Sequence, residues 1–208
     1  MKIAAITTTR GDRGQFLEQC KKLMKNQTRK LDFHFIIDYL PINDDIDLID
    51  RFRLGIKLAK ENNVDFVFII EDDDYYPYNY IEKMMQFSNY DMIGCEQTIY
   101  YHLDQAASKL FVHPFRSSLF CTAFKLKAVT DFFYPPKTEP YLDIFLWQFA
   151  CQKLNYYLIT EPLAVGIKHN IGKRAGNGHL MKYTNLEGLK KYIDNRNIDF
   201  YLNLQNAR

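Results

Sequence analysis

The sequence lacks most of the features that would place it in a special class of protein. Its four cysteines are scattered and form no CxxC pair, so we expect reduced core residues. No apolar run approaches the roughly 18 residues that a membrane-spanning helix needs. The net charge is only +2, which gives no overall field that would favour nucleic acid or a membrane surface.

Other absences concern the organisation of the chain. Internal repeats, low-complexity segments and linkers are missing, and 208 residues suit one domain with its own core. No signal peptide precedes the strand-like segment KIAAITTT, so we expect a cytoplasmic protein, in the host cytoplasm if a phage encodes it. The glycine-rich fingerprints of kinases and dehydrogenases are also missing, and RGDRG (10–14) is the nearest candidate for a phosphate loop.

What the sequence does have is a regular alternation of strand-like and helical patterns. Buried strands are predicted at 3–8, 33–38 and 65–70. Amphipathic helices are predicted between them, from apolar residues at helical spacing over Phe16 to Met24 and Leu48 to Ala59. Three strands separated by two helices are typical of an α/β fold with a parallel sheet.

The second half of the chain gives a mixed pattern. A short helix is predicted around Ile81 to Met85, and no long helix between 91 and 130. A further helix is predicted over Tyr141 to Leu154, and the capping box TNLE (Thr184 to Glu187) predicts the start of a C-terminal helix. Strands are predicted at DMIGCE, TIYYH, LFCTAFK, YYLIT and LAVGIKH.

Four acidic residues, Glu71 to Asp74, directly follow the third strand. Like charges this close repel one another, so a fold keeps them together only where something offsets the repulsion. Ligands of open α/β sheets bind beyond the carboxyl ends of the strands, and Asp38 ends the second strand at the same predicted edge. The pattern therefore predicts a site for Mg²⁺ or Mn²⁺, held by carboxylates and by substrate phosphate oxygens. The alternative is a solvated turn whose acids cap the next helix.

The segment FIIEDDDYYPYNYI resembles the metal-binding DxD segment of GT-A glycosyltransferases, in which a hydrophobic strand ends in clustered acids before an aromatic turn. The preceding strands and helices are similar in layout to family 2 enzymes of that class, closely over residues 1–90 and afterwards only in the order of elements. The resemblance implies a single-domain, Rossmann-like GT-A fold over residues 1–208, with a mostly parallel central sheet flanked by helices. Residues 1–90 would form the nucleotide-binding half, and residues 91–208 the acceptor half with a phosphate-covering loop and a C-terminal helix.

The resemblance also implies which residues contact the donor and the metal. The nucleotide-facing positions would be Thr8, Arg10, Asp38, Arg51 and Asp72. Metal ligands are expected among the acids, with Asp72 and Asp74 favoured and Asp73 as the main competitor, since Glu71-x-Asp73 has the same spacing. Glu71 itself would be held by the sheet, by Arg51 or by Arg53.

A second segment with chemistry is GIKHNIGKRAGNGH (166–179), which follows a predicted strand. Its glycines let backbone amides approach a phosphate, and Lys168, Lys173 and Arg174 can neutralise the phosphate charge. GT-A enzymes often close such a loop over the diphosphate, which implies phosphate contacts for these cations. A metal-ligand role is implied for His169, with His179 as the alternative. Either histidine could instead donate to phosphate, and the segment could be an ordinary flexible surface loop.

The segment TEPYLDIFLWQFA places Asp143 at the start of a predicted helix, after Glu139. An acid in this place is the general base of inverting GT-A enzymes, so the resemblance implies that Asp143 takes the proton of the acceptor hydroxyl. The alternative is that both acids only favour the helix N-terminus through its dipole. The tyrosine-rich segments YYPYNY and TIYYH could stack a sugar or a base, whereas Trp147 is expected in the core.

Together these features predict a metal-dependent GT-A glycosyltransferase that uses Mn²⁺ or Mg²⁺. It would move a sugar from a nucleoside diphosphate sugar, with a UDP-sugar favoured, to an acceptor hydroxyl, with inversion. The acceptor could belong to a glycan, a protein or a hydroxylated nucleic-acid base. Two other classes share the α/β start and the acidic site: a nucleotidyltransferase or other nucleotide-sugar enzyme, and a non-catalytic nucleotide-binding module.

Overall fold

The computed structural model describes residues 1–9, 11, 13–39, 47–133, 141–169 and 188–206. Several residues that the sequence singles out lie outside these ranges, namely Arg10, Glu139, Lys173, Arg174, His179 and the TNLE segment. Within the described ranges, no helix is both long enough and apolar enough to cross a bilayer.

From β1 to β3 the described elements follow the predicted alternation of strands and helices, whereas the C-terminal helix begins at Ile198 and not directly after the TNLE segment. The strands are β1 (Ile3–Thr9), β2 (Phe33–Asp38), β3 (Phe66–Ile69), β4 (Met92–Cys95), β5 (Gln97–His102), β6 (Ala107–Val112), β7 (Thr122–Lys125), β8 (Tyr156–Ile159) and β9 (Val165–Lys168). The helices are α1 (Gly14–Lys25), α2 (Leu48–Glu61), α3 (Tyr80–Met85), α4 (Leu126–Phe133), α5 (Leu142–Lys153) and α6 (Ile198–Asn206). Short 3₁₀ turns lie at Leu119–Cys121 and Leu189–Lys191.

The central sheet has six strands in the order β2-β1-β3-β7-β4-β8. All of its neighbouring pairs are parallel except those of β7, which runs antiparallel to β3 and to β4. Every residue of β1 and β3 is buried, because helices and their side chains cover both faces of the sheet. The predicted α/β fold with a mostly parallel central sheet flanked by helices is confirmed.

A second, three-stranded sheet has the order β6-β5-β9 and is not anticipated by the strand pattern. Both β5 and β9 are predicted as strands, but spacing along the chain does not say which sheet a strand joins. Two elements, β6 and α4, are missing from the prediction. Strand β6 exposes Leu110 and Val112, which blurs the usual alternation, and α4 is rich in β-branched and aromatic residues that favour helices weakly.

The core corrects two expectations about single side chains. Cys20, Cys95 and Cys121 are buried free thiols, as expected, but Cys151 is exposed, so its assignment to the core is wrong. The tyrosines proposed as stacking platforms are largely core residues: Tyr75, Tyr76, Tyr80, Tyr100 and Tyr101 are buried. These rings fill the space between the acidic turn, α3 and the second sheet, so they do not offer a face to a sugar or a base. Trp147 is buried, as predicted.

Candidate active site

The acidic residues leave the central sheet at the carboxyl end of β3. The strand is buried along its whole length and hydrogen-bonded on both sides, so the backbone that enters the acidic turn is fixed. Asp38 ends β2 and pairs in register with Thr9, the last residue of β1. Asp38 is exposed, whereas Thr8 is buried in β1. The structure therefore places Asp38 and the acidic turn at one edge of the sheet, as predicted.

Strand β9 and His169, the residue directly after it, hold the acidic turn through contacts to three successive residues. Asp73 Oδ2 lies 2.8 Å from His169 Nε2, and Asp74 Oδ1 accepts a hydrogen bond of 2.8 Å from the amide of Ile167. The backbone of Tyr75 exchanges two hydrogen bonds with Val165, of 2.9 and 3.0 Å. Three successive residues of the turn thus pair with every second residue from 165 to 169. This pairing docks the second sheet against the acidic turn.

Arg13 pairs with two of the four acids, Asp72 and Asp73, and three of the acids converge. Arg13 Nη2 lies 2.8 Å from Asp72 Oδ1, and its Nη1 lies 2.5 Å from Asp73 Oδ2. Single carboxylate oxygens of Glu71, Asp73 and Asp74 all lie within 4.8 Å of one another. Asp72 is not part of this group in the described chain, although the sequence favours it as a ligand.

The converging carboxylates suit a hard divalent cation. Asp74 Oδ2 is buried and has no hydrogen-bond partner among the described residues, which leaves a polar oxygen unsatisfied inside the protein. Burial and the neighbouring Asp73 and Glu71 raise the pKa of Asp74 well above its usual range. Three converging carboxyl oxygens, two of them from groups whose ionisation is opposed until a cation binds, form the kind of oxygen donor set that Mg²⁺ and Mn²⁺ prefer. The residues present therefore fit the implied metal.

The other acids show the same electrostatic conflict. Burial, and then the charge of Asp73, raises the pKa of Glu71 to about 7 and that of Asp72 to about 6. Asp73 is the exception: burial opposes its ionisation, but Arg13 and His169 outweigh burial and lower its pKa. One carboxylate is thus kept ionised by its neighbours, and its charge opposes ionisation of the rest.

Arg13 is the functional residue that sequence reasoning missed. It lies in the RGDRG segment, which contains a phosphate-loop candidate, but the expected contact there is assigned to Arg10. Arg13 directly precedes α1, which begins at Gly14, and its guanidinium contacts the acidic turn. The signal that could have revealed it is the surplus of acids, since a buried acidic group needs a cation nearby.

Arg51 has a different place from the one expected. Its guanidinium donates to the carbonyls of Thr9 and Tyr39, the latter at 2.7 Å, and pairs with Asp47 at 2.7 Å. These contacts tie the carboxyl ends of β1 and β2 together. The cations that act on Glu71 are Lys168 and Arg13, so the expectation that Arg51 or Arg53 would hold Glu71 is not supported.

Lys168 ends β9 next to the acids, and its charge offsets part of the rise in the pKa values of Glu71 and Asp74 and adds to the lowering of the pKa of Asp73. Its Nζ also lies 4.7 Å from the centre of the Tyr100 ring. Phe16 packs on the ring of His169, with centroids 4.3 Å apart, and His169 is fully buried. The described part of the 166–179 segment therefore begins as ordered, buried structure at the site.

Asp143 lies in the first turn of α5 and pairs with Arg116, whose Nη1 is 2.5 Å from Asp143 Oδ2. Burial raises the pKa of Asp143, and Arg116 partly offsets the rise. The neighbouring Ser117 accepts a 2.9 Å hydrogen bond from the amide of Cys95, the last residue of β4. Because β3 and β4 both run antiparallel to β7, their carboxyl ends share one edge. Asp143 and the acidic turn are thus at the same edge of the sheet.

Solved structures with the same arrangement of elements identify the fold. S. aureus TarS residues 1–349 in complex with UDP-GlcNAc is similar at a TM-score of 0.59 and 11% identity, over 86% of this chain and 62% of that chain. The complex of the same protein with UDP gives a TM-score of 0.55 and 10% identity, over 80% of this chain and 60% of that one. The chain has a GT-A-like fold.

The bifunctional IspDF from Campylobacter jejuni is also similar, at a TM-score of 0.50 and 10% identity, over 84% of this chain and 52% of that chain. The GT-A-like chain thus spans about three fifths of the TarS chains and half of IspDF. No family model and no curated protein matches the sequence. At these low sequence identities, the similarity shows the fold alone.

Proposed function

We propose that the chain is a metal-dependent glycosyltransferase that moves a sugar from a nucleoside diphosphate sugar, with a UDP-sugar favoured, to an acceptor hydroxyl. The observation that carries this proposal is the convergence of Glu71, Asp73 and Asp74 at the carboxyl edge of the sheet. The fold is shared with a TarS chain that binds UDP-GlcNAc, which supports a sugar nucleotide as the ligand of that edge. The acceptor class stays open among a glycan, a protein and a hydroxylated base.

The acidic turn would hold Mn²⁺ or Mg²⁺ through Glu71, Asp73 and Asp74. His169 is the proposed imidazole ligand, since it already lies against Asp73. Asp72 would face the nucleotide from the Arg13 side. When bound, the cation supplies positive charge to the departing diphosphate.

The nucleotide would lie across the ends of β1 and β2. Asp38 is exposed there and could accept a hydrogen bond from the nucleotide base. Arg51 holds the ends of the two strands together. Thr8 lies just inside this edge. Lys168 and Arg13, which both act on the acids, would face the phosphates, with Arg10, Lys173 and Arg174 as the predicted further cations.

Asp143 is the proposed base. It would take the proton of the acceptor hydroxyl as that oxygen bonds to the anomeric carbon and the bond from this carbon to the diphosphate oxygen breaks. Attack from the face opposite the diphosphate inverts the anomeric carbon. Arg116 orients Asp143 for this task through their ion pair, and its charge favours the ionised carboxylate that a base must be.

A panel of sugar nucleotides tests the proposal. UDP-, GDP-, CDP- and TDP-sugars are added with and without Mn²⁺, and the thermal stability of the protein is measured. A UDP-sugar with Mn²⁺ should give the largest rise in Tm, and EDTA should remove it, because bound ligand stabilises only the folded state. Equal shifts in EDTA would exclude the metal role, and no shift with any sugar nucleotide would exclude the donor.

Nucleotidyl transfer is the second candidate, which the similarity to IspDF keeps open. The acidic metal site would serve either reaction, but the products differ. A nucleotidyltransferase releases pyrophosphate, whereas a glycosyltransferase releases a nucleoside diphosphate. A coupled assay for each product separates the two: the nucleoside diphosphate is assayed with the sugar nucleotide found in the panel and an acceptor, and pyrophosphate with the corresponding nucleoside triphosphate and a sugar phosphate. A donor that stays intact over hours with metal and varied acceptors would instead favour a non-catalytic module.

A further inference from the structure

Behind the acidic turn, a chain of polar side chains joins the C-terminal segment Gly188–Asn206 to helix α1. The Tyr75 hydroxyl donates to Asp194 Oδ2 at 2.9 Å and accepts from the Asp194 amide at 3.3 Å. Asn197 Nδ2 donates to both oxygens of Asp194, at 3.0 and 3.2 Å. The Asn197 side-chain carbonyl accepts from Gln19 Nε2 at 2.9 Å, and Gln19 belongs to α1.

Three members of this chain of hydrogen bonds are buried, whereas the side chain of Asp194, at its centre, is 30% exposed. Asn197, Tyr75 and Gln19 expose only 1%, 2% and 7% of their surface. Buried polar groups cost free energy unless they are hydrogen-bonded. An apolar contact could anchor the C-terminal segment without that cost. A satisfied polar network, in contrast, restricts its members to one geometry. The network is therefore suited to fixing positions.

Both ends of the network lead to the acids. Tyr75 directly follows Asp74, and the Tyr201 hydroxyl of α6 donates to the backbone carbonyl of Asp74 at 3.5 Å. At the other end, α1 begins directly after Arg13, which pairs with two of the carboxylates. A displacement of the C-terminal segment would thus move both the acids and Arg13, whose charge balances them.

We propose that Tyr75 and Asp194 are positioning residues that fix the carboxylates in the geometry that binds the cation. The inference rests on the proposed metal dependence and adds residues that touch neither metal nor substrate. Tyr75 acts through the backbone of the turn, since its hydroxyl contacts Asp194 and its ring packs edge-on against Tyr201 with centroids 6.0 Å apart. Loss of such outer partners of metal ligands typically weakens metal binding about tenfold to a hundredfold.

The test compares two buried tyrosines. Tyr75→Phe removes only the hydroxyl that contacts Asp194. Tyr80→Phe is the matched control, because the Tyr80 hydroxyl donates to the backbone carbonyl of Phe120 at 3.3 Å, within the same core. Mn²⁺ affinity is measured by isothermal titration, and Tm is measured in EDTA. We expect the Tyr75 variant to lose Mn²⁺ affinity about tenfold. The Tyr80 variant should keep the affinity of the wild type while losing similar thermal stability.

A second pair of variants separates positioning from general destabilisation. Asp194→Asn keeps one side-chain oxygen that can accept from Tyr75 and Asn197 but loses the acceptor for the Arg196 amide, so it should lose less Mn²⁺ affinity than Asp194→Ala. Asp194→Ala removes the acceptor and should behave like Tyr75→Phe. Similar Tm values for the two Asp194 variants with different Mn²⁺ affinities would support positioning.

The outcomes distinguish this inference from the proposed function. If the wild type binds Mn²⁺ and Tyr75→Phe binds it equally well, the positioning role is excluded and the metal site stands. Equal losses in Tyr75→Phe and Tyr80→Phe would also exclude it, because core packing would then explain both. If the wild type binds no Mn²⁺, the metal site fails first, and the positioning role fails with it.

Discussion

At the scale of single residues, Arg13 balances the acidic turn. It pairs with Asp72 and Asp73, and the three side chains are only 15%, 1% and 9% exposed. Removing one partner of a buried pair is costly because it leaves the other charge without compensation inside the protein. Arg13 thus keeps two acids close to the site before any metal or donor arrives.

Arg13→Ala should lower the free energy of unfolding by about 3 kcal/mol in EDTA, measured by urea denaturation. Mn²⁺ should restore part of the loss, because it supplies the missing positive charge. Lys21→Ala is the control: its pair with Glu18 on α1 is exposed, so its removal should cost under about 1 kcal/mol. Equal losses in the two variants would contradict the balancing role of Arg13.

The raised pKa of Glu71 makes stability depend on pH. A carboxyl group whose pKa rises on folding stabilises the folded state while it is protonated. For Glu71 this stabilisation is complete below its unfolded pKa of about 4.3 and is lost as the pH rises through about 7. Glu71→Gln cannot ionise and should escape the loss.

The stability of Glu71→Gln relative to the wild type should therefore increase from pH 4.5 to 7.5 in EDTA, by at most about 1.4 kcal/mol per pH unit. Thermal denaturation at a series of pH values measures this difference. Glu61→Gln on the exposed end of α2 serves as the control and should show no such trend. A difference that is constant with pH would show that Glu71 does not titrate in this range.

At the scale of elements, β9 sets the shape of the site. Its backbone contacts Tyr75 and Asp74, and His169, the residue directly after it, contacts Asp73, while the other edge of β9 pairs with β5. The close approach of the two strands depends on Gly166, where an added Cβ would lie 2.5 Å from Cδ1 of Tyr100. That ring is buried and has little room to move.

Gly166→Ala should destabilise the fold by about 1–3 kcal/mol, because overpacking forces β9 or the ring aside. It should also weaken Mn²⁺ binding, because β9 ends directly before His169 and carries the amide that holds Asp74. Gly188→Ala is the matched control, since a Cβ there meets no atom of the described residues within 4 Å. Unfolding and Mn²⁺ titration of both variants test this, and unchanged Mn²⁺ affinity in Gly166→Ala would mean that β9 does not set the ligand geometry.

At the scale of the whole molecule, the fold brings the proposed base and the acidic turn to one edge from distant parts of the chain. Asp143 comes from α5 and the acids come from β3, and each has its own arginine partner. The two sites share the sheet edge and use separate contacts. Their functions should therefore be separable by substitution.

Asp143→Asn should cut transfer by about a hundredfold or more, the usual scale for a general base, and leave donor binding near normal. Asp50→Asn is the control, because Asp50 also lies in the first turn of a helix and pairs with an arginine, Arg53, at 2.5 Å. Transfer rates and donor titrations are measured for both. A loss below about tenfold would reduce Asp143 to a helix-start residue, and Glu139 would be the next acid to test.

The sequence by itself determined the order of the first three strands and of the two helices between them, the parallel start of the sheet and the placement of the acids at its edge. These features are local. Apolar runs at the spacing of strands and helices produce β1, α1, β2, α2 and β3, and a strand that is apolar throughout must be buried on both faces. The acidic residues follow β3 directly, so the position of Asp38 and the acids at the strand ends follows from chain order alone.

Only the tertiary structure decided which acids converge and which cations oppose them. Side-chain directions after β3 depend on β9, and Asp73 meets His169 across 96 residues of chain. Arg13 and Arg116 pair with carboxylates that lie 60 and 27 residues away in the sequence. The periodicity of a helix or a strand predicts no contact over such separations. A turn has no period that fixes where its side chains point, so the strand that docks against it selects Glu71, Asp73 and Asp74 and leaves Asp72 to Arg13.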